Sequence, residues 1–396
     1  MIKKFLDLGF QPMANNYLQT NSKLNKKNIH TYRLEVVFNT DNSLISIKTK
    51  TPKEKMFNNK YPYKSSLSST MRTSFKKISQ KIKNKFEPRR LLEIGSNDGP
   101  FITNFDKNKV IGVEPCGNLA KITKRYGYYT YVNYWNIKLS KRIKKKFKDI
   151  DVIYSANTIT HIENLNNVFK AINNVLSKNG ILIIEDPSLL ECLKKISYDQ
   201  FYNEHIYIFS AISLKQIIKR FSFEIFDIEK LPTHGGSLRY FIKRISNKKL
   251  KIKKSVSKQI KFEIKNGLQN FTRYKKFAHD VYKSRKMLVS LLKKLKEKNK
   301  KIIGYGATAK ATTVLNYCKI ADDMIDYFLD TTPDKIGRYM PGTNIRILKY
   351  DKKLMKKNYF IFLGAWNFKK EIFSKEKNFI KSGGRFITHV PTPRII

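Results

Sequence analysis

Short apolar runs separated by polar, turn-rich stretches recur along the chain, and their spacing changes character twice. Residues 1 to about 85 carry brief runs, "YRLEVVF" and "SLISIKT", and then the tyrosine-rich "YPYKSSLSS"; they predict a small β-rich module of short strands and turns. "RRLLEIGSNDGPFI" follows, in which Leu91 to Ile94 suits a buried parallel strand and Gly95 to Gly99 a tight turn into a helix. Further runs, "VIGVEP", "DVIYSANTI", "GILIIEDP", "FEIFDIEKL" and "LRYFIKR", leave room for intervening helices and predict a doubly wound α/β sheet over residues 86–245. Residues 246–300 place Leu268, Phe271, Phe277, Val281, Leu288 and Leu292 near helical spacing on a lysine background, which predicts an amphipathic helical connector. A second α/β unit, residues 301–396, opens with "KKIIGYGATAKATTVLNY" and ends in "GGRFITHVPTPRII".

Composition narrows this picture without redirecting it. A chain of 396 residues exceeds one ordinary domain, and 41% apolar with 13% aromatic residues supplies real cores. No apolar run approaches the roughly 18 residues of a membrane span, so no membrane association is expected. The first residues lack the apolar stretch of a signal peptide, and three cysteines (Cys116, Cys192, Cys318) stand far apart, so a reducing cytoplasm and no metal cluster are expected. The net charge of +49 would suit a nucleic-acid binder. However, lysine far outnumbers arginine and is spread over nearly every segment rather than gathered on one face. No nucleic-acid partner is therefore expected, although a basic surface favours an anionic substrate.

The most specific local signal is "LLEIGSNDGPFI" followed by "VIGVEP". The turn reads E-x-G-x-x-x-G, with Glu93, Gly95, Ser96, Asn97 and Gly99, and Glu114 closes the second strand, where a carboxylate can accept both ribose hydroxyl protons. It lacks the three-glycine pyrophosphate cradle of G-x-G-x-x-G, so an adenosyl ligand without phosphates is preferred. This resembles the class I methyltransferases that use S-adenosylmethionine. Asn157, after the third strand, is placed to line the cleft near the methionine moiety. The surrounding "SANTITH" is not the D/N-P-P-Y/F-type tetrapeptide of nucleic-acid amino-methyltransferases.

"FYNEHIYIFS" sets Glu204 and His205 among aromatic residues, as a hydrogen-bonded core pair or as a catalytic base. Together with "HGGSLRYF", "GYGATAKATTVLNY" and "KIGRYMPGTNIRI", this stretch makes the chain similar to the nucleotide-sugar C-methyltransferases, from about Leu8 to the end. The resemblance implies a methyl branch added to a keto-deoxysugar on a nucleoside diphosphate. It also implies a small N-terminal zinc module, a central methyltransferase domain and a C-terminal Rossmann-like domain. Two positions depart from the family. Asn39 and Asn42 stand where a zinc-binding cysteine pair would fall, and neutral amides cannot replace thiolates there; Asn203 stands where a histidine is typical. The module is accordingly expected to hold no metal.

Methylating carbon beside a ketone requires a base, a donor for the enolate oxygen and a methyl held in line. On this reading His205 is the base, Glu204 orients it or touches substrate, and Tyr202 and Tyr63 are phenolic donors or relays. "YPYKSS" is equally an aromatic hairpin. His161 fits shaping the cleft better than proton transfer, and His234 and Arg239 are either structural or face the sugar nucleotide. Gly304, Gly306 and Lys310 could hold phosphates, with Asn316 further along that helix; Trp366 and Asn367 either line the same cleft or pack beneath it. A monomer or weak dimer is expected. The alternatives are an O- or N-methyltransferase on a related sugar, and a non-catalytic basic RNA-binding scaffold.

Overall fold

In the computed structural model, which describes residues 1–19 and 29–396, the strands form three sheets. The first joins Ile2–Pro12, Thr31–Asn39 and Leu44–Ile47 in antiparallel order. Its fourth strand, Tyr207–Ile208, comes from the "FYNEHIYIFS" stretch, with Ile208 opposite Ile45 and Tyr207 opposite Ser46. The N-terminal sheet thus anchors the chain directly after Glu204 and His205. The tip of its hairpin is closed by two asparagines: Asn39 Oδ1 accepts from the Asp41 amide at 2.9 Å, and Asn42 Oδ1 from the Leu44 amide at 3.1 Å.

Residues 69–86, read from sequence as part of a strand-and-turn module, form the helix Ser69–Phe86 instead. Ser68 caps it by accepting from the Met71 amide, and Met71, Phe75, Ile78 and Ile82 recur at helical spacing. These residues pack with Leu91, Val152 and Phe241 against the middle sheet.

The middle sheet has seven strands. From one edge, Phe223–Leu231, Ser237–Arg244 and Leu176–Pro187 lead to Ile150–Ala156, Leu91–Ile94, Val110–Val113 and Tyr129–Tyr131. All run parallel except Ser237–Arg244, which is antiparallel to both neighbours. This is the Rossmann-like α/β sheet of class I S-adenosylmethionine-dependent methyltransferases, with cores on both faces.

The amphipathic stretch forms the helices Lys254–Lys265 and Phe271–Glu297. Glu263 is fully buried and caps the start of the helix Ala211–Lys219, accepting from the Ala211 and Ile212 amides at 3.0 Å each. Tyr274 packs between Phe5 and Phe38 of the N-terminal sheet, while Leu288 and Leu292 join the core shared with Val314 and Cys318. The third sheet runs Arg346–Lys349, Tyr327–Asp330, Ile302–Tyr305, Phe360–Leu363 and Arg385–Thr388 in parallel, with Arg394–Ile395 antiparallel at one edge. Among the described residues no helix is long and apolar enough to cross a membrane.

Candidate active site

A cavity of about 710 Å³ opens where the strand ends of the two α/β sheets meet the N-terminal segments. At one end, Gly95 follows the strand Leu91–Ile94 with φ +79°, and a Cβ there would come within 2.1 Å of Thr158 Oγ1, so only glycine fits the turn. Glu114 closes the next strand; its two carboxylate oxygens accept from the Asn97 and Cys116 amides, each at 2.8 Å, and each keeps a further lone pair. Burial raises its pKa above the ordinary carboxylate value. Glu93 Oε2 and Asn157 Oδ1 also line this end, buried and without a hydrogen-bond partner among the described residues. Burial and the nearby Glu114 and Asp98 hold the Glu93 carboxyl well above its usual pKa, which favours its protonated form. Orphaned polar atoms, a carboxylate with spare acceptors and a glycine-lined turn fit an adenosyl amino-acid cofactor. Gly99 (φ +91°) shapes the turn from beneath and does not line the cavity.

A strap over this turn carries the tyrosines. The Ser65 amide donates to Asn97 Oδ1 at 2.9 Å and the Ser66 amide to Asp98 Oδ1 at 3.2 Å, so the glycine-rich turn itself holds the strap. Its other side is tied to the C-terminal unit, through Lys64 to Asp334 at 2.6 Å and Thr70 Oγ1 to Glu371 at 2.7 Å. Tyr61 and Tyr63 line the cavity as a result. Burial raises Tyr63 to about 12.

The Glu204–His205 pair divides rather than cooperating. His205 Nδ1 lies 2.7 Å from the Gln200 carbonyl oxygen, which can only accept, so Nδ1 carries the proton. Its Nε2 therefore accepts from the Tyr202 hydroxyl at 2.7 Å. Burial holds His205 neutral, with its pKa well below the ordinary value. Glu204 does not orient the imidazole: it accepts from Asn15 Nδ2 at 2.7 Å and from the Tyr61 hydroxyl at 2.8 Å, outside the cavity lining. Burial raises Glu204 to about 7, against the opposing effect of those two hydrogen bonds. Its own partners are Asn15 and Tyr61; Tyr61 belongs to the tyrosine-rich stretch read from sequence, but the pairing of either residue with Glu204 was not expected.

That shift has a consequence for stability. From pH 4.5 to about 7 an unfolded chain would ionise Glu204 while the folded one keeps it protonated. Its contribution is therefore full below pH 4.5 and declines as pH rises through about 7, by roughly 3 kcal/mol at about 1.4 kcal/mol per unit. Glu204→Gln should lack this slope. Denaturation midpoints of both proteins from pH 4 to 8 check it, and parallel curves would mean that the folded carboxyl is already ionised.

His161 stacks between Phe57 and His205, at 5.5 and 5.1 Å, and burial holds it down at about 3; His234 also lines the cavity and is likewise held at about 3. Both are neutral near pH 7. On the C-terminal wall, Asp330 repeats the arrangement of Glu114, accepting from the Ala307 and Thr332 amides at 2.8 Å each. Gly306, Thr308, Lys310 and Asn367 line the same wall.

Besides Glu204 and Gly99, the candidates Gly304, Arg239, Asn316 and Trp366 fall outside the cavity lining. Arg239 is buried in the middle sheet between Glu185 and Glu229, each 2.9 Å away, because those residues stand directly opposite it on the flanking strands. Asn316 Nδ2 is spent on the Thr312 and Pro341 carbonyls at 2.8 and 2.9 Å. Trp366 packs beneath the Gly235 turn, and its Nε1 donates to Asp199 at 2.5 Å. Asp199, which also contacts His389 Nε2 at 3.2 Å, is a buried polar centre that no sequence motif announced.

Comparison with known proteins finds methyltransferases. Residues 63–228 match the methyltransferase-domain family, and residues 232–391 match the C-methyltransferase C-terminal domain. The C-methyltransferase NovU of Streptomyces niveus is 28% identical over 308 residues, covering 77% of this chain and 73% of that protein. Among solved structures, a methyltransferase of Thermotoga maritima described as a possible histamine N-methyltransferase aligns at 20% identity and a TM-score of 0.33, over 43% of this chain and 89% of that one. Magnesium protoporphyrin IX methyltransferase of Synechocystis aligns at 11% identity and 0.34, over 44% and 83%. With one stretch matching the methyltransferase domain and the next matching the C-methyltransferase C-terminal domain, the chain is an S-adenosylmethionine-dependent methyltransferase.

Proposed function

We propose that this enzyme methylates the carbon beside the ketone of a deoxysugar linked to a nucleoside diphosphate. The observation that carries the reading is the Tyr202–His205 pair in a cavity walled by both α/β units. Methyl transfer to an oxygen or nitrogen needs no carbanion, whereas a carbon next to a carbonyl must first lose a proton. Tyr202 and His205 both line the cavity, and the Tyr202 hydroxyl proton is already directed at a neutral imidazole nitrogen. A phenol alone is a poor base here, since burial pushes Tyr202 well above its ordinary pKa. A concerted shift of its proton to Nε2 avoids forming an isolated phenolate.

Glu93, Gly95, Ser96, Asn97, Glu114 and Asn157 would hold the cofactor, with Glu114 on the ribose hydroxyls. Bound S-adenosylmethionine supplies an electrophilic methyl group on sulfur. The nucleotide end of the substrate would lie against the C-terminal wall near Gly306 and Thr308, with His161 and His234 as neutral polar walls around the sugar.

Mass spectrometry of nucleotide ketosugars after incubation with enzyme and cofactor tests the reading: a gain of one methyl on carbon supports it. A methyl found on oxygen or nitrogen would overturn it. Separately, Glu114→Ala should weaken binding of S-adenosylhomocysteine by about 1–3 kcal/mol, measured by calorimetric titration, with the melting temperature checked in parallel. Unchanged affinity would mean that Glu114 does not meet the ribose.

A further inference from the structure

Lys310 stands in the first turn of the helix Ala309–Cys318, lines the cavity and is only 7% exposed. Its ammonium lies 5.9 Å from the centre of the Tyr202 ring. The carboxylates that act on it are Asp199 and Glu204, and neither forms an ion pair with it. Asp199 Oδ2 is taken by Trp366 and His389, and Glu204 by Asn15 and Tyr61. The groups on which its charge acts in turn, His161, His205 and His234, also face the cavity.

This placement argues against Lys310 as the residue that holds the diphosphate. Lys375 also lines the cavity and offers a cation for phosphates, whereas Lys64 is paired with Asp334 at 2.6 Å and Lys335 is spent on the Ala307 carbonyl at 2.7 Å and on Asp330 at 3.5 Å. Lys310 is instead a desolvated cation without a direct counter-ion, beside the proposed proton acceptor. Such a charge is costly at rest and is best met by an anion that arises during the reaction.

Resting on the proposed ketone substrate, we infer that the Lys310 ammonium holds the enolate oxygen formed when the Tyr202–His205 pair removes the neighbouring proton. In that step the C–H bond breaks and its electron pair becomes the enolate double bond. The carbonyl π pair moves onto the oxygen facing Lys310. The released proton goes to the Tyr202 oxygen as the Tyr202 proton passes to His205 Nε2. Asp199 acts as a positioning residue, its negative charge favouring the ammonium form of Lys310 from behind.

The test compares wild type, Lys310→Met and Lys310→Ala on a ketosugar substrate. Lys310→Met should lower kcat and the wash-out of the α-proton in heavy water, with S-adenosylhomocysteine bound, by roughly 10²-fold. KM for the substrate and the affinity for free dTDP should stay within about threefold. Methylammonium should restore part of kcat to Lys310→Ala, a readout on the same folded protein that does not depend on comparing two folds. A tenfold or greater loss of dTDP affinity with kcat retained at saturation would overturn the inference and assign Lys310 to the diphosphate. If wild type methylates no nucleotide ketosugar, the substrate reading itself fails and takes this inference with it, an outcome distinct from a retained kcat in the variant.

Discussion

Replacing His205 by alanine should cost roughly 10²–10⁴-fold in methylation, the usual scale for losing a general base. Cofactor affinity should be preserved, because no atom of His205 belongs to the turn around Gly95 and Glu114. The same variant should lose exchange of the proton beside the ketone, followed by NMR in heavy water with S-adenosylhomocysteine in place of the methyl donor. Tyr202→Phe separates two mechanisms that His205→Ala cannot. If the proton travels through Tyr202, the phenylalanine variant loses about as much as His205→Ala. If the imidazole takes the proton directly, removing the hydroxyl frees the Nε2 lone pair that Tyr202 now occupies at 2.7 Å, and most activity survives. Glu204→Gln should lose less than either, because its carboxyl meets Asn15 and Tyr61 rather than the imidazole. Near-normal methylation by both His205→Ala and Tyr202→Phe would remove the pair from the chemistry.

The contrast between these residues shows what a sequence makes legible. The glycine-rich turn and Glu114 could be read because strand, turn and next strand end lie close together in the chain, and alternating apolar runs fix which ends meet. The second α/β unit could be read for the same reason. Adjacent letters in an irregular stretch are different. Glu204 and His205 sit in a turn, where the His205 amide bonds the Tyr202 carbonyl at 2.9 Å, so no strand or helix period says which way either side chain points. The partners of Glu204 were illegible by distance as well: Asn15 is 189 residues away, and Tyr61 is 143. The helix Ser69–Phe86 was hidden by composition. Its four inward residues, Met71, Phe75, Ile78 and Ile82, are separated by serines, threonines and lysines that read as a loop until the spacing is counted. Asp199 and His389 meet across 190 residues and carry no local pattern at all.

Arg239 gives the opposite lesson: left open from sequence between a structural role and the sugar nucleotide, it stands within the sheet, and its removal should have the largest effect on folding. The antiparallel strand Ser237–Arg244 sets Arg239 directly across from Glu185 on one side and Glu229 on the other. Its Nε and Nη2 both reach Glu185 Oε2 at 2.9 Å, and Nη1 reaches Glu229 Oε2 at the same distance. Glu185 is 1% exposed, and its remaining donor is the Tyr154 hydroxyl at 3.1 Å. Arg239→Met fills a similar volume but strands the Glu185 carboxylate in a dry interior, where losing one member of a buried pair costs about 3–5 kcal/mol. Urea denaturation should show that loss. Adding Glu185→Gln to the same chain should return much of it, because the uncompensated charge rather than the missing contact is the main penalty. KM for the sugar nucleotide should stay unchanged in the folded fraction of Arg239→Met. A stable Arg239→Met protein with a raised KM would instead place the guanidinium on the substrate.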